Sequence, residues 1–447
     1  MDARALAEQT CRTLRRAGYQ AYLVGGCVRD ILLGREAADY DVATDATPDR
    51  VQQLFPHTLA VGAQFGVIIV TEPSSTEERP TEVEVATFRS DVGYSDGRHP
   101  DRVVYASSPE QDVKRRDFTI NALLLDPDNR QVLDFVGGRD DLAAGIIRAI
   151  GRPLDRFHED KLRMIRAVRF AARFRYAMEA GTFGAIRELA PEIHQVSPER
   201  LRDELCKILT DGAARRAFEL LDETGLLAAL LPEIRQMKGV EQPPQFHPEG
   251  DVWIHTLMML ERLPHPCSQT LAWGALLHDV GKPPTFAPPT GPDGRIRFDE
   301  HVEVGTRMAE EICRRLRFSN SDTEQVAALV ANHMRFKDVQ EMKPSTLKRF
   351  VRLDRFDEHL ELHRLDCSSS HGDLDNYQFV KRFLADTPAA EVRPPRLVSG
   401  EDLIKIGLTP GPVFRTILDA VEEAQLNGTV ATKEGALRFV QDLIRRS

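Results

Sequence analysis

Apolar residues follow two different rhythms along the chain, and the change comes near residue 150. Before it, short apolar runs alternate with charged loops. Tyr22-Leu23-Val24, Val67-Ile68-Ile69-Val70 and the alternating segment Glu82–Phe88 read as strands. Residues 3–17 repeat at helical spacing and stop at Gly18, and Thr47-Pro48 opens a second helix over 48–54 with proline in its first turn. Strands with helices between them predict one mixed α/β domain as far as about 147. Beyond it the spacing is almost wholly helical, with helices expected at 158–176, 182–190, 198–209, 213–223, 254–262, 269–278, 299–316, 321–333, 344–352, 355–365, 373–384, 400–405, 410–425 and 432–446. Pro- and Gly-rich breaks fall at 242–250, 283–294 and 386–395. The first and last bound an inserted unit. The expected class is α+β: a mixed-sheet head over 1–147, an all-α neck and body over 148–241, a helical unit over 242–372 and a helical tail over 373–447.

Composition narrows the choice of partners. The 447 residues carry a net charge of −10, so a nucleic-acid surface has to be a local patch. Arg148–Arg175 supplies one, with nine basic residues against three acidic, a local excess of six. Six scattered cysteines without a C-x-x-C pair read as reduced thiols of a cytoplasmic chain. The N-terminal segment is amphipathic and charged, unlike a signal peptide, and no apolar run approaches a membrane span, so no membrane partner is expected. Oligomeric state is not legible.

The densest chemistry lies in residues 22–41. After the apolar run come Gly25-Gly26, a helix opening with Cys27-Val28-Arg29-Asp30 and closed by Gly34, and then Asp39-Tyr40-Asp41. Paired glycines let backbone N–H groups approach a phosphate, and a helix N-terminus adds partial positive charge. Asp39 and Asp41, two apart, are expected on one face of a strand, as a pair of Mg²⁺ ions requires. Two such ions about 4 Å apart activate an attacking hydroxyl and stabilise the leaving oxygen of a phosphoryl transfer. The other reading is an ordinary βα turn followed by a solvated acidic loop. Glu84, in the alternating strand, is either a third carboxylate or an exposed strand position. In Lys114–Ala122, Asp117 and Asn121 are expected to share a helical face beside Arg115 and Arg116, a pattern that also suits a capped helix start. Asp160, Arg163, Arg166 and Arg169 recur every three residues along one expected helix, as a binding stripe or a solvated face of ion pairs. Ser197-Pro198 begins a further helix with a capping serine and proline at its first position.

The Gly25–Asp41 stretch, the string RRDFTINA at 115–122, the Glu159-Asp160-x-x-Arg163 pattern and SPERLRDEL at 197–205 together resemble the motifs of the class II CCA-adding enzyme and poly(A) polymerase superfamily. The resemblance implies a template-independent nucleotidyltransferase. Asp39 and Asp41, with Glu84, would hold Mg²⁺. Gly25, Gly26, Arg29, Arg116, Asp117, Asn121, Arg166 and Arg169 would hold the nucleotide, while Asp160 and Arg163 would hydrogen-bond its base, accepting and donating respectively. The 197–205 helix would brace that arrangement. The implied partners are tRNA, CTP and ATP. Val61–Val67 lacks the basic pair expected of bacterial poly(A) polymerases, which favours tRNA, and FRSDVGYSDGRHPDRV at 88–103 matches the flexible loop that CC-adding members lack. An A-adding tRNA enzyme and a poly(A) polymerase remain as alternatives.

A second constellation comprises His255, His278-Asp279, His301, His333 and Asp366, spread over successive expected helices. Imidazole with carboxylate suits Mn, Ni, Co, Fe or Zn better than Mg²⁺. The segments HTLMML, LLHDVGKP, HVEVGTRMA, VANHM and HRLDCSSSHGD resemble the HD phosphohydrolase superfamily. That implies one metal on His255, His278, Asp279 and Asp366, with Asp279 bridging to a second on His301 and His333, Lys282 near a phosphate, and hydrolysis of 2′,3′-cyclic or 2′-phosphates. A chain that is chiefly an HD phosphohydrolase with an RNA-binding head is the alternative from another class.

Overall fold

The computed structural model describes residues 2–62, 66–73, 80–92, 102–245, 247–289 and 296–446. Two compact units divide the chain, Met1–Arg235 and Gln236–Ser447. The poly(A)-polymerase comparison string at 61–67 and the 88–103 loop each lie partly outside the described residues.

In the first unit, helix α1 (Ala3–Arg16) starts where the Asp2 carboxylate accepts the Ala5 N–H at 2.7 Å, and it buries Leu6, Cys11 and Leu14. Strands β1 (Ala21–Val24), β2 (Asp41–Thr44), β3 (Thr58–Gly62), β4 (Val67–Glu72), β5 (Thr81–Thr87), β8 (Leu124–Leu125) and β9 (Val132–Leu133) form one sheet in the order β3-β4-β5-β2-β1-β8-β9. Between them, α2 (Gly26–Leu32) follows β1 and α3 (Pro48–Leu54) follows β2. Alternation along β5 buries Val83, Val85 and Thr87 and leaves Glu82 and Glu84 exposed. The parallel β2–β5 pair sets Asp41 opposite Glu84, and the antiparallel β1–β2 pair sets it opposite Val24. Beneath lies a core of Val24, Ala43, Phe88, Val113, Ala122 and Leu124. Part of the expected loop is strand: β6 (Arg89–Val92) and β7 (Arg102–Tyr105) pair antiparallel.

Three expectations need correction. Asp39 precedes β2 instead of sharing its face, because the strand begins at Asp41. Asp117 and Asn121 are not on one α-helix: α4 (Pro109–Lys114) ends first, and Thr119–Asn121 is a short 3-10 turn. They still meet, since the Asn121 amide donates to Asp117 at 3.3 Å. The helix expected at 158–176 is two, α6 (Pro153–Glu159) and α7 (Leu162–Phe174), because Asp160 is extended (φ −152°) and its side chain accepts the Leu162 N–H at 3.1 Å. Around these run α5 (Gly138–Ala144), the strand pair β10 (Ile146–Ile147) and β11 (Ala177–Met178), α8 (Ala180–Leu189), α9 (Pro198–Thr210), α10 (Ala214–Glu223), and the short helices α11 (Leu226–Leu230) and α12 (Pro232–Arg235). Ser197 holds the cap position of α9 but its hydroxyl makes no capping bond.

The second unit is helical: α13 (Val252–Glu261), α14 (Gln269–Leu277), α15 (Lys282–Thr285), α16 (His301–Arg315), α17 (Asn320–Asn332), a 3-10 turn over His333–Asp338, α18 (Pro344–Phe350), α19 (Phe356–Ser369), α20 (Asp375–Asp386), α21 (Ala389–Val392), α22 (Gly400–Lys405), α23 (Pro412–Leu426) and α24 (Lys433–Arg446). Asp251, Ser268 and Ser319 cap α13, α14 and α17. Every residue from Thr270 to Leu277 of α14 is buried, which is why that segment is apolar on all sides. A side chain at Gly281 would run into the backbone of His301 and Gly305, so the turn after α14 lies directly against the start of α16. Leu403, Ile417, Val421 and Val440 pack α22, α23 and α24 together.

Candidate functional site

A cavity of about 400 Å³ opens in the first unit where β1 ends and β2 begins, lined by Gly25, Gly26, Arg29, Asp41, Arg115, Arg116, Asp117, Asn121, Asp160, Arg163, Arg166 and Phe170. The chain reaches it by a turn only glycine favours. Gly25 has φ +81°, and the space of its missing side chain lies 3.5 Å from an Arg116 nitrogen and 3.7 Å from an Asp41 oxygen. Burial, with Glu84 and Asp39 adding like charge, pushes the Asp41 carboxyl up to about 6 against the pull of Arg116. Like charge around a carboxylate suits a cation, and Asp41, Asp39 and Glu84 have the hard oxygen donors that Mg²⁺ takes, although their oxygens do not gather within 4.8 Å of one another here.

Cationic groups face these acids. Arg115 and Arg116 both grip Asp112, at 2.7 and 3.1 Å, and that buried carboxylate aims them. Arg29 is buried; it donates to Asn121 at 2.6 Å and lies 4.5 Å over the Phe174 ring. Asp117, although half-buried, is held below the usual carboxylate range by Arg166 and Arg163, with Arg166 at 2.9 Å. Asp160 accepts from Arg200 at 2.7 Å, and Arg163 donates to Glu159 at 2.7 Å. Asp39 and Glu84 are not part of the cavity lining, and among the basic candidates Arg169 is the one that stands apart. It is outside the cavity lining and buried, paired with Glu204 at 2.8 Å, its guanidinium 4.5 Å from the Phe170 ring. Glu204 also reaches Arg166 at 3.5 Å, so α9 steadies α7. Asp112 and Phe170 went unnoticed in the sequence; Asp112, three and four residues before the arginine pair, was the available signal.

The second unit has a cavity of about 740 Å³ whose lining includes Asp279, His301, His333 and Asp366. His278, His301 and His333 point their Nδ1 atoms at the carbonyls of Ala275, Phe298 and Val330, at 3.0, 2.8 and 2.7 Å. Their Nε2 atoms are buried without a well-formed hydrogen bond. His278 Nε2 lies 3.1 Å and His333 Nε2 3.8 Å from the Asp279 carboxylate, and His255 Nε2 lies 3.1 Å from Asp366. Donor atoms of His255, His278 and Asp279 cluster within 4.8 Å of one another, as do those of Asp279, His301 and His333. Buried imidazoles with their outer nitrogens tied and inner nitrogens convergent fit a divalent metal. Burial pushes the His333 ring down to about 4, so the ring is neutral at neutral pH, whereas Asp366 and Glu249, against the opposing effect of burial, push His255 up to about 9. Lys282 sits 2.7 Å from Asp279 and donates to Gln242 at 2.6 Å. His247 and Glu249, in a stretch read only as a break, lie beside this cluster. The spacing of 247, 249 and 255 was their only trace.

A head with a carboxylate–glycine–arginine cavity and a helical unit with a histidine–aspartate cluster define a nucleotidyltransferase joined to an HD unit. The family models agree: the Poly A polymerase head domain matches residues 21–148, the probable RNA and SrmB-binding site of polymerase A matches 175–237, and the HD domain matches 251–358. Curated relatives include the CCA-adding enzyme of Leuconostoc mesenteroides, 31% identical over 98% of this chain and 96% of that one. Another is that of Lactobacillus helveticus, 30% identical over 97% and 95%. The Bacillus stearothermophilus CCA-adding enzyme, solved in complex with CTP, superposes with a TM-score of 0.73 at 28% identity, covering 98% and 97% of the two chains. The Thermotoga maritima CCA-adding enzyme, solved with tRNA, shares the fold with a TM-score of 0.60 at 19% identity over 99% and 96%. The chain belongs to the CCA-adding enzyme family and is a nucleotidyltransferase. Both kinds of domain that it carries use divalent metals, and among the described residues no helix is long and apolar enough to cross a membrane.

Proposed function

We propose that this protein adds C, C and A to the 3′ end of tRNA from CTP and ATP without a nucleic-acid template. The tRNA 3′-oxygen forms a bond to the α-phosphorus of the incoming nucleotide, its proton passes to solvent, and pyrophosphate leaves. Asp39, Asp41 and Glu84 would hold Mg²⁺, which when bound supplies activation of that hydroxyl and neutralises charge at the phosphate. Gly25 and Gly26 bring backbone close to the triphosphate, Arg29 and Arg116 supply its counter-charge, and Asp117, Asn121 and Arg166 order the sugar side. Asp160 and Arg163 read the base by exchanging or sharing their present partners, Arg200 and Glu159. Arg169 serves through α7, not by contact. The head and the neck that follows, about 1–147 and 148–241, carry this chemistry, and the tail beyond 373 grips tRNA.

The observation that carries the reading is Asp41 at the mouth of the Gly25 turn, in one cavity with Arg116, Asp160 and Arg163. The HD unit, about 242–372, would hold Mn, Ni, Co, Fe or Zn on His255, His278, Asp279, His301, His333 and Asp366, and clear 2′,3′-cyclic or 2′-phosphates from damaged ends. Lys282 would neutralise the phosphate there. Free cysteines and a tRNA substrate agree with a cytoplasmic place.

The test supplies Mg²⁺ with transcripts ending before CCA, after the first C, and after CC, with CTP and ATP given separately and together. Stepwise C, C, A with a stop is expected. A-only extension of the CC-ended transcript would make it an A-adding enzyme, long A ladders a poly(A) polymerase, and no extension would leave the HD site as the main activity.

A further inference from the structure

We propose that Glu249 is a positioning residue for the metal centre of the second unit, clamping His255 and His247 by their Nδ1 atoms so that their Nε2 atoms are left to the metal. This rests on the reading of that centre given above. One carboxylate oxygen of Glu249 lies 2.7 Å from His255 Nδ1 and 2.9 Å from His247 Nδ1. The Glu249 side chain is 5% exposed and that of His255 is fully buried. An N–H left alone there would be costly, so the contact keeps the proton on Nδ1 and makes Nε2 the nitrogen that gives its proton up to a metal.

The other imidazoles of the centre are held in a different way. His278, His301 and His333 each find their Nδ1 acceptor in the carbonyl three residues earlier. For His255 that carbonyl belongs to Val252, and it already accepts the Thr256 hydroxyl at 2.8 Å. Glu249 replaces it from the segment before α13, leaving Nε2 facing Asp366 at 3.1 Å. A carboxylate also raises the basicity of the ligand nitrogen more than a neutral carbonyl does. The same oxygen takes a second imidazole, His247, whose ring centre is 5.0 Å from that of His255 and which lines the cavity beside Asp279 and Lys282. Glu249 therefore organises two of the five imidazoles in the candidate metal groups.

Calorimetric titration of the full-length chain with Ni²⁺ in excess Mg²⁺ tests this, the Mg²⁺ occupying the all-oxygen site of the head. Glu249→Ala should weaken Ni²⁺ binding about 10- to 100-fold at unchanged stoichiometry. Glu249→Gln, which keeps an acceptor oxygen without its charge, should restore part of that loss. His247→Ala should change affinity by less than about threefold, and CTP incorporation into tRNA should be unchanged in all three. Wild-type affinity in Glu249→Ala, or in Glu249→Leu should the alanine variant not fold, would overturn the positioning role and leave the metal centre standing. Loss of one whole equivalent of Ni²⁺ would also overturn it, because Glu249 would then be a ligand. Failure of the wild-type chain to bind Ni²⁺ would overturn the metal reading itself, and this inference with it.

Discussion

Removing Glu204 should damage the first unit more than any change to its exposed charges. Its carboxylate is 3% exposed and contacts Arg169 at 2.8 Å, Lys207 at 3.4 Å and Arg166 at 3.5 Å. Burial alone would raise its protonation point, yet Arg169 and Arg166 hold it below the usual glutamate range, so it is charged at neutral pH. Glu204→Ala leaves the Arg169 guanidinium, 9% exposed, without its closest anion; Asp211 remains at 3.4 Å. Breaking a buried pair on one side costs about 3–5 kcal/mol. A unit the size of Met1–Arg235 unfolds with an entropy of about 0.5 kcal/mol/K, so its transition should fall by about 6–10 °C. Because Arg166 also holds Asp117, the KM for CTP should rise as well. Calorimetric melting and single-nucleotide addition measure the two effects. Replacing both partners, Glu204→Leu with Arg169→Met, should recover most of the melting loss, since an apolar pair of similar volume leaves no stranded charge. A Glu204→Ala transition within about 1 °C of wild type, or a double variant no better than the single, would refute the reasoning.

Asp41→Asn should abolish nucleotide addition without lowering the melting temperature, because it removes a carboxylate whose burial and neighbours disfavour its charge; near-wild-type addition would contradict its role. Asp112→Asn should destabilise the head by about 2–3 kcal/mol at neutral pH, through its bonds to Arg115 and Arg116. The native pKa of Asp112 lies below its ordinary value, because Arg116 and Arg115 outweigh its burial. Its contribution is thus full above about pH 4 and fades as pH falls through the native value, so wild-type and variant melting curves should converge on acidification. Gly281→Ala should drive the turn off His301 and Gly305, costing about 1–3 kcal/mol and weakening Ni²⁺ binding in the same sample. Asp279→Ala should remove Ni²⁺ binding and leave CCA addition intact; loss of both would mean the two sites are not separate.

What the sequence disclosed divides along a physical line. Patterns set by local rules were legible: the alternation in Glu82–Phe88, the glycine pair at the turn where Gly25 takes a positive φ, and the helices expected at 254–262, 269–278 and 321–333. The candidate acids and histidines were also visible, because few other residue types can carry that chemistry. Three-residue periodicity misled at Asp160, where a side chain that competes for backbone N–H groups broke one expected helix into two. The same substitution of a local bond for a helical one put Asp117 and Asn121 in contact across a 3-10 turn. Long-range partners left no periodic trace at all. Arg169 looked like a ligand for phosphate until Glu204, thirty-five positions on, accounted for its charge. Glu249 was hidden for the opposite reason. It stands in a Pro-rich break, where composition signals only a loop, and its meaning depends on a carbonyl at Val252 that Thr256 has already taken. Side chains that touch substrate or metal announce themselves by type. Those that aim them are recognised only once their partners are known, and in this chain the aiming residues Asp112, Glu204 and Glu249 are all buried carboxylates set against the groups they hold.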